Sequence, residues 1–307
     1  MDITLTYGGC DLTFGGSNLA YFDPLNPLGL PPLTMRLRYE QGVTPSVSPL
    51  KGAITLVDSA QNIWDYTQQD APQYPTEWIG LPEESHVLEV LGFNSTGVTD
   101  MMALFSDCDN LTSIPLFDTS SVTDMTAMFD RCTSLVTVPL YDTSSVTSMR
   151  HMFLDCTSLT HVPLFDTSSV TNMVGMFQDC SSLTAVPFFD TSSVTYMGGM
   201  FAACSNLTTI PLFNTSHVTS MAEMCFGCSS LTSIPLFDTS AVTDMYHMCK
   251  NCVSVQNGAL ALYTQASSQT TPPSRYYECF LNCGSNTQTG AQELAQIPQR
   301  WGGTASS

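Results

Sequence analysis

The chain has 307 residues, of which 43% are hydrophobic and only 11% charged, and its 8 Lys and Arg stand against 27 Asp and Glu for a formal net charge of −19. Nucleic acid and anionic membrane surfaces are poor partners for so acidic a chain, and no apolar run reaches the roughly eighteen residues that a membrane-inserted helix needs. Solubility rests largely on Ser, Thr and Asn, a surface that favours hydrogen bonding to a glycan or a polar protein over electrostatic steering.

The opening Met1-Asp2-Ile3-Thr4-Leu5-Thr6-Tyr7 has no basic patch followed by an apolar core, so it does not read as a signal peptide. Ile3 to Tyr7 and Asp11 to Phe14 read as two short strands around Gly8-Gly9, and the proline-rich segment from Asp23 to Pro32 reads as a linker or extended arm, which makes residues 1–33 one unit. Thr34 to Tyr39 and Ala53 to Val57 read as strands of a small β-rich region. The aromatic groups Ile63-Trp64-Asp65-Tyr66 and Tyr74-Pro75-Thr76-Glu77-Trp78 follow. The part near Trp64 and Trp78 is expected to cap what comes next, which closes a second unit over residues 34–85.

From there a motif repeats. Cys108, Cys132, Cys156, Cys180, Cys204, Cys228 and Cys252 stand 24 residues apart, and a fixed period of this size signals stacked repeats. One copy reads Leu135-x-x-Val138-Pro139-Leu140-Tyr141-Asp142-Thr143-Ser144-Ser145-Val146-x-x-Met149-x-x-Met152-Phe153-x-x-Cys156. Leu135, Val138 and Leu140 fall in a strand-length apolar segment, ended by the Asp-Thr-Ser-Ser turn. Val146, Met149, Met152, Phe153 and Cys156 recur at three- and four-residue steps, the pattern of one helical face. Each copy is therefore expected to be a strand, a turn and a short helix, with Asp142 or Ser144 capping the helix start. The fold class that follows is an α/β repeat solenoid over residues 86–283, with ladders of Leu, Met, Phe and Cys through its core. Its first rung places Val87, Val90 and Phe93 in the apolar columns and Asn94 in the Asp column.

The run Met128-Phe129-x-x-Cys132-x-x-Leu135-x-x-Val138-Pro139, with Phe117-Asp118-Thr119-Ser120-Ser121-Val122-Thr123-x-Met125 before it, resembles the bacterial surface leucine-rich repeats of the BspA type, also met in gut-bacterial and phage proteins. The resemblance covers roughly residues 85–283. It implies leucine-rich-repeat-like stacking and a role in adhesion or receptor binding through protein–protein interaction. It carries over no catalytic residue.

Past Cys252 the next cysteine of the series would fall at position 276 and stands instead at Cys283, so the last unit holds seven extra residues, placed around Ser267 to Ser274. Tyr276-x-x-Cys279-Phe280-x-x-Cys283 restores the motif. Ala291 to Ile297 reads as a closing helix with Trp301 as a lid, within a C-terminal cap and tail over residues 284–307.

Positions that vary among the copies nominate contacts, because the scaffold accounts for the invariant ones. They hold Arg150, His151, Leu154, Tyr196, Phe226, Tyr246, His247 and Lys250, candidates for ligand binding, although drift on a solvated face gives the same variability. Cys225 and Cys249 replace Phe in their copies and form Cys225-x-x-Cys228 and Cys249-x-x-Cys252 on adjacent rungs. Three readings stay open: buried thiols in a Phe-sized space, a Cys225–Cys249 disulfide, and a four-thiolate zinc site. The first is favoured, and no metal or other cofactor is expected. His151 and His247 share a column four rungs apart, too far to act together, and no catalytic constellation is present.

The function expected is non-enzymatic recognition of a cell-surface protein or glycan, with the chain located extracellularly on a bacterial surface, as an adhesin, or on a phage virion, as a host-recognition component. The alternative is a structural virion or assembly component without a receptor, which self-associates through its N-terminal region.

Overall fold

The computed structural model describes residues 3–7, 10–14, 25, 34–39, 53–57, 63–66 and 84–306. Strands β1 (Ile3–Tyr7) and β2 (Cys10–Phe14) pair antiparallel, Ile3 opposite Phe14 and Tyr7 opposite Cys10. A second sheet has the order β5-β4-β3-β6, built from β3 (Thr34–Tyr39), β4 (Ala53–Val57), β5 (Ile63–Tyr66) and β6 (Val87–Asn94). In it β3 runs parallel to β4 and antiparallel to β6.

Strand β6 belongs to the sheet and to the repeats at once. Its Val87, Val90 and Phe93 are buried in the expected columns, and the Asn94 side chain accepts the Thr96 N–H at 3.2 Å. The strand laid against this first rung is β3, whose Met35 and Leu37 are fully buried in the core and whose Arg38 meets Glu89 at 2.6 Å. The cap expected near Trp64 is thus corrected: Trp64 sits on β5, at the far edge of the sheet, and Trp78 lies outside the described residues. The proline-rich linker, apart from Leu25, also lies outside them.

The repeats from Val98 to Cys252 contain no helix, which corrects the strand-turn-helix unit. In the copy from Met149 to Cys156, the N–H groups of Met149, His151, Phe153 and Asp155 donate to the carbonyls of Asn172, Val174, Met176 and Gln178 on the next rung, at 2.8–3.0 Å. The alternate N–H groups of Met152, Leu154 and Cys156 donate back three residues along their own chain, at 3.1–3.2 Å. The segment is a string of overlapping turns cross-linked to its neighbour, and two residues per turn string, such as His151 (φ 55°) and Asp155 (φ 57°), take the left-handed conformation. These overlapping four-residue turns bury Met149, Met152, Phe153 and Cys156, side chains three and four residues apart, so the sequence periodicity imitates a helix. Spacing decides the matter. Packed helices stand 8–10 Å apart, whereas rungs bonded backbone to backbone stand about 4.8 Å apart, too close for helices on any side.

The strand half is reduced as well. Parallel bridges join Asp124 to Ser148, Ser148 to Asn172 and Asn172 to Tyr196, and so on along the stack, but after β6 no strand longer than a bridge forms in the repeats. Pro139, Pro163, Pro187, Pro211 and Pro235 lack the N–H that a ladder needs. After each of the last four, the chain closes a three-residue turn, as when the Phe165 N–H donates to the Pro163 carbonyl at 3.0 Å. The central residue of that turn is thrown outward. Leu140 and its equivalents Leu164, Phe188, Leu212 and Leu236 are therefore 53–65% exposed, not core residues as the apolar pattern suggested.

Three ladders hold the interior. Phe105, Phe129, Phe153, Phe177 and Phe201 stack with centroids 5.5–5.9 Å apart and planes within 8°. The thiols of Cys132, Cys156, Cys180, Cys204 and Cys228 each donate to a Phe carbonyl of the preceding rung at 2.9–3.0 Å. The hydroxyls of Thr119, Thr143, Thr167, Thr191 and Thr215, all buried, donate to the carbonyl of the Asp or Asn one rung on at 2.7–2.8 Å. The Asp column itself makes turns: Asp118 Oδ1 accepts both the N–H and the hydroxyl of Ser120, an arrangement repeated at Asp142 and Asp166.

The last unit keeps register despite its extra residues. Met245, His247, Cys249 and Asn251 donate to Arg275, Tyr277, Cys279 and Leu281, each bond spanning seven residues more than in the preceding rungs. The additional length is taken up by α1 (Ala259–Ser267) and the loop after it, so the insertion begins earlier than Ser267. Helix α2 (Gln288–Leu294) opens on Thr287, which accepts the Gly290 N–H, and Trp301 covers the end, 2% exposed and stacked on Tyr276 at 4.1 Å.

The contrast between neighbouring leucines is testable. Leu159→Ala, at a fully buried site, is expected to cost about 2–5 kcal/mol in urea unfolding. Leu164→Ala, at the turn tip, should change stability by less than about 0.5 kcal/mol. Thr167→Val should cost about 1 kcal/mol by removing the hydroxyl donor from its ladder. Equal losses at Leu159 and Leu164 would contradict the outward turn.

Candidate functional site

The eight nominated side chains do not form one surface. Arg150, His151 and Leu154 share an early rung, where His151 lies so close over Gly175 that a Cβ there would meet its ring at 2.4 Å. Tyr196 stands two rungs on, half exposed, in a column where Asp124, Ser148, Asn172, Ser220 and Asp244 accept an N–H of the following turn.

Phe226, Tyr246, His247 and Lys250 do come together, at the C-terminal end. The His247 ring stacks on Tyr246 at 3.7 Å and lies 6.2 Å from Phe226. Its Nε2 is 3.1 Å from Glu278, and Lys250 Nζ reaches the same carboxylate oxygen at 2.6 Å. The Lys250 ammonium is the main cause holding the Glu278 carboxyl below its ordinary range, with Tyr277 and His247 adding smaller hydrogen bonds. His247 can take this position because its backbone is left-handed (φ 54°), which turns the side chain along the stack towards the next rung.

Beside this group opens a cleft of about 440 Å³ lined by Tyr246, Ser274, Arg275, Tyr276, Tyr277 and Arg300. The Arg275 guanidinium lies 5.5 Å over the Tyr246 ring and bonds Asp244 at 2.5 Å, and Arg300 lies 5.8 Å over Tyr276. Of the 8 basic residues in the chain, Lys250, Arg275 and Arg300 thus collect at one end of an acidic molecule. Repeat comparison missed the residues from Ser274 onward, because the insertion in α1 and its loop breaks the alignment of columns. The scarcity of Lys and Arg, three of them falling after position 249, was the signal that could have found them.

The cysteine pairs occupy the core. Cys225 and Cys249 fill the Phe column with their sulfurs 3.3 Å apart, while the thiols of Cys228 and Cys252 donate to the carbonyls of Phe201 and Cys225. Among the described residues, no group of three or more His, Cys, Asp or Glu is arranged to hold a metal ion. Burial raises the thiols of Cys132, Cys156, Cys180, Cys204 and Cys228 well above their ordinary range. Among the described residues no helix is long and apolar enough to cross a membrane.

The family described as Mycoplasma protein of unknown function, DUF285, matches residues 83–184 and 160–263. Nothing among the curated proteins matches. Two solved structures are similar. A leucine-rich repeat protein from Eubacterium ventriosum is 17% identical with a TM-score of 0.35, over 67% of this chain and 61% of that one. A leucine-rich repeat protein of T. pallidum is 14% identical with a TM-score of 0.33, over 71% of this chain and 81% of that one. The match therefore spans about three fifths of the first structure's length.

Two measurements bear on these groups. A carboxyl whose pKa is lower folded than unfolded lends stability that is complete above the unfolded value, about 4.3 for Glu, and is lost as pH falls through the folded value. The melting-temperature difference between the parent and Glu278→Gln should therefore be full at neutral pH and vanish in acid. A pH-independent difference would assign the effect to packing. Thiol labelling of the native chain should leave Cys132, Cys156, Cys180, Cys204 and Cys228 untouched, and denaturant should expose them. A Cys225–Cys249 disulfide would show as that pair missing from the denatured count.

Proposed function

The chain belongs to the family described as Mycoplasma protein of unknown function, DUF285, and on that premise we propose that it is a non-enzymatic recognition protein whose repeats present a binding surface for a polar protein or glycan at a bacterial surface. The observation that carries this reading is the convergence of Phe226, Tyr246, His247 and Lys250 with the Tyr246–Arg300 cleft on the last rungs. Aromatic and cationic side chains gathered at one place on a Ser- and Thr-rich surface are the chemistry of binding hot spots. The BspA-type wording of the repeats supports a surface setting, as an adhesin or as a host-recognition component of a phage virion. The separation of His151 from His247 by four rungs, and the use of the Asp and Cys columns in turns and core, support the non-enzymatic part.

A second reading, a structural assembly component, is favoured by the exposed column Leu140, Leu164, Phe188, Leu212 and Leu236. A second copy of the chain carries the same column at the same rung spacing, so two columns would match side chain to side chain along their length.

One experiment separates the two. The full chain is tested for binding to intact bacterial cells and to a glycan array beside the triple variant Phe226→Ala, Tyr246→Ala, Lys250→Ala. The recognition reading expects binding that falls at least tenfold in the variant, about the loss of one hot-spot side chain. No binding by the parent, with sedimentation as a dimer that Leu164→Glu and Leu212→Glu abolish, would replace it with the assembly reading.

A further inference from the structure

The chemistry of the C-terminal cleft is narrower than recognition in general. Its lining of three tyrosines, two arginines and a serine is aromatic and cationic, with no aliphatic side chain. Tyr277, 59% exposed, is the ring free to meet the C–H surface of a sugar, whereas Tyr276 is stacked on Trp301 and lies under Arg300. Ser274 spends its proton on the Thr243 carbonyl at 3.2 Å, which leaves its oxygen to accept from a ligand hydroxyl.

The charges are unequal in a useful way. Arg275 is compensated by Asp244 at 2.5 Å, and the carboxylate on the rim, Glu278, is compensated by Lys250 at 2.6 Å. Arg300 has no acidic partner among the described residues, and its guanidinium stands over the Tyr276 ring. A planar fork of N–H donors without a partner matches one carboxylate. A volume of about 440 Å³ is at the small end of ligand sites, which run from about 300 to 1,000 Å³, and suits one or two sugar rings.

We propose that this cleft binds a carboxylated sugar, a hexuronate unit of an anionic glycan, with its carboxylate on Arg300 and its ring stacked on Tyr277. The proposal rests on the recognition reading and names its ligand class. It also gives a role to Arg300, the cation at this end that no acidic group among the described residues compensates.

The test is calorimetric titration of the full chain with trigalacturonate, with the neutral galactotriose and with a triglutamate peptide. Trigalacturonate is expected to bind, galactotriose to bind at least tenfold more weakly, and added salt to weaken only the former. Arg300→Gln should lower the trigalacturonate affinity about tenfold or more, the worth of one charge-assisted contact. Tyr277→Ala should lower it with no change in melting temperature. Equal affinity for the two sugars, no binding of either, or indifference to Arg300→Gln overturns the proposal, and preference for triglutamate assigns the cleft to an acidic peptide instead. Cell binding that survives Arg300→Gln in a chain that ignores trigalacturonate removes this proposal and leaves the recognition reading standing.

Discussion

The spacing between rungs governs this molecule. On the turn side, every second backbone N–H of a rung is spent on a carbonyl of the next one, which fixes neighbouring chains at the separation of strands in a sheet. Once that separation holds, equivalent residues lie on top of one another and must suit their own copies. Phe rings do so by stacking, and Thr and Cys do so by donating to the carbonyls that the turns leave available. The same spacing forbids helices, whose diameter is about twice as large, and so forces the apolar Val-Met-Met-Phe-Cys series into turns with left-handed residues.

Much of the architecture was legible because it depends on identity between copies, and identity survives in a sequence. The period, the buried Met, Phe and Cys columns, the first four N-terminal strands and the closing Trp301 all follow from pattern alone. The conformation of the repeat was not legible, since a string of four-residue turns and a helix bury side chains at the same intervals. The outward column at Leu140 was hidden for a related reason. A leucine between Pro163 and Phe165 reads as core, and the turn that the Phe165 N–H closes onto the Pro163 carbonyl sends it to solvent. The buried Thr column was overlooked because Thr beside Asp and Ser reads as loop, yet its hydroxyl replaces a ladder bond inside the core.

The candidate site was half legible. Variation among copies picked out Phe226, Tyr246, His247 and Lys250, which the fold assembles, along with Arg150, His151, Leu154 and Tyr196, which it leaves on other rungs. The missing half comes from the unit that departs from the repeat. Arg275, Tyr277 and Glu278 keep the register of the stack but follow seven extra residues, and Arg300 lies beyond the repeats, so a reading built on the 24-residue spacing passes over them. Departures from a repeat are informative for this reason: the regular units must match copies of themselves on both sides, while the terminal unit meets the unrelated segment around Arg300 and Trp301.

Because the backbone bonds of a rung in the stack run to the rungs on either side of it, the molecule behaves as a ruler. Inserting or deleting a whole 24-residue copy in the middle would shift the cleft by one graduation, about 4.8 Å, while leaving every contact within it unchanged. Reach and recognition are therefore separable properties of this chain. A lineage could tune how far the C-terminal cleft stands from the N-terminal sheets by recombination between near-identical copies, without revisiting the chemistry at the tip.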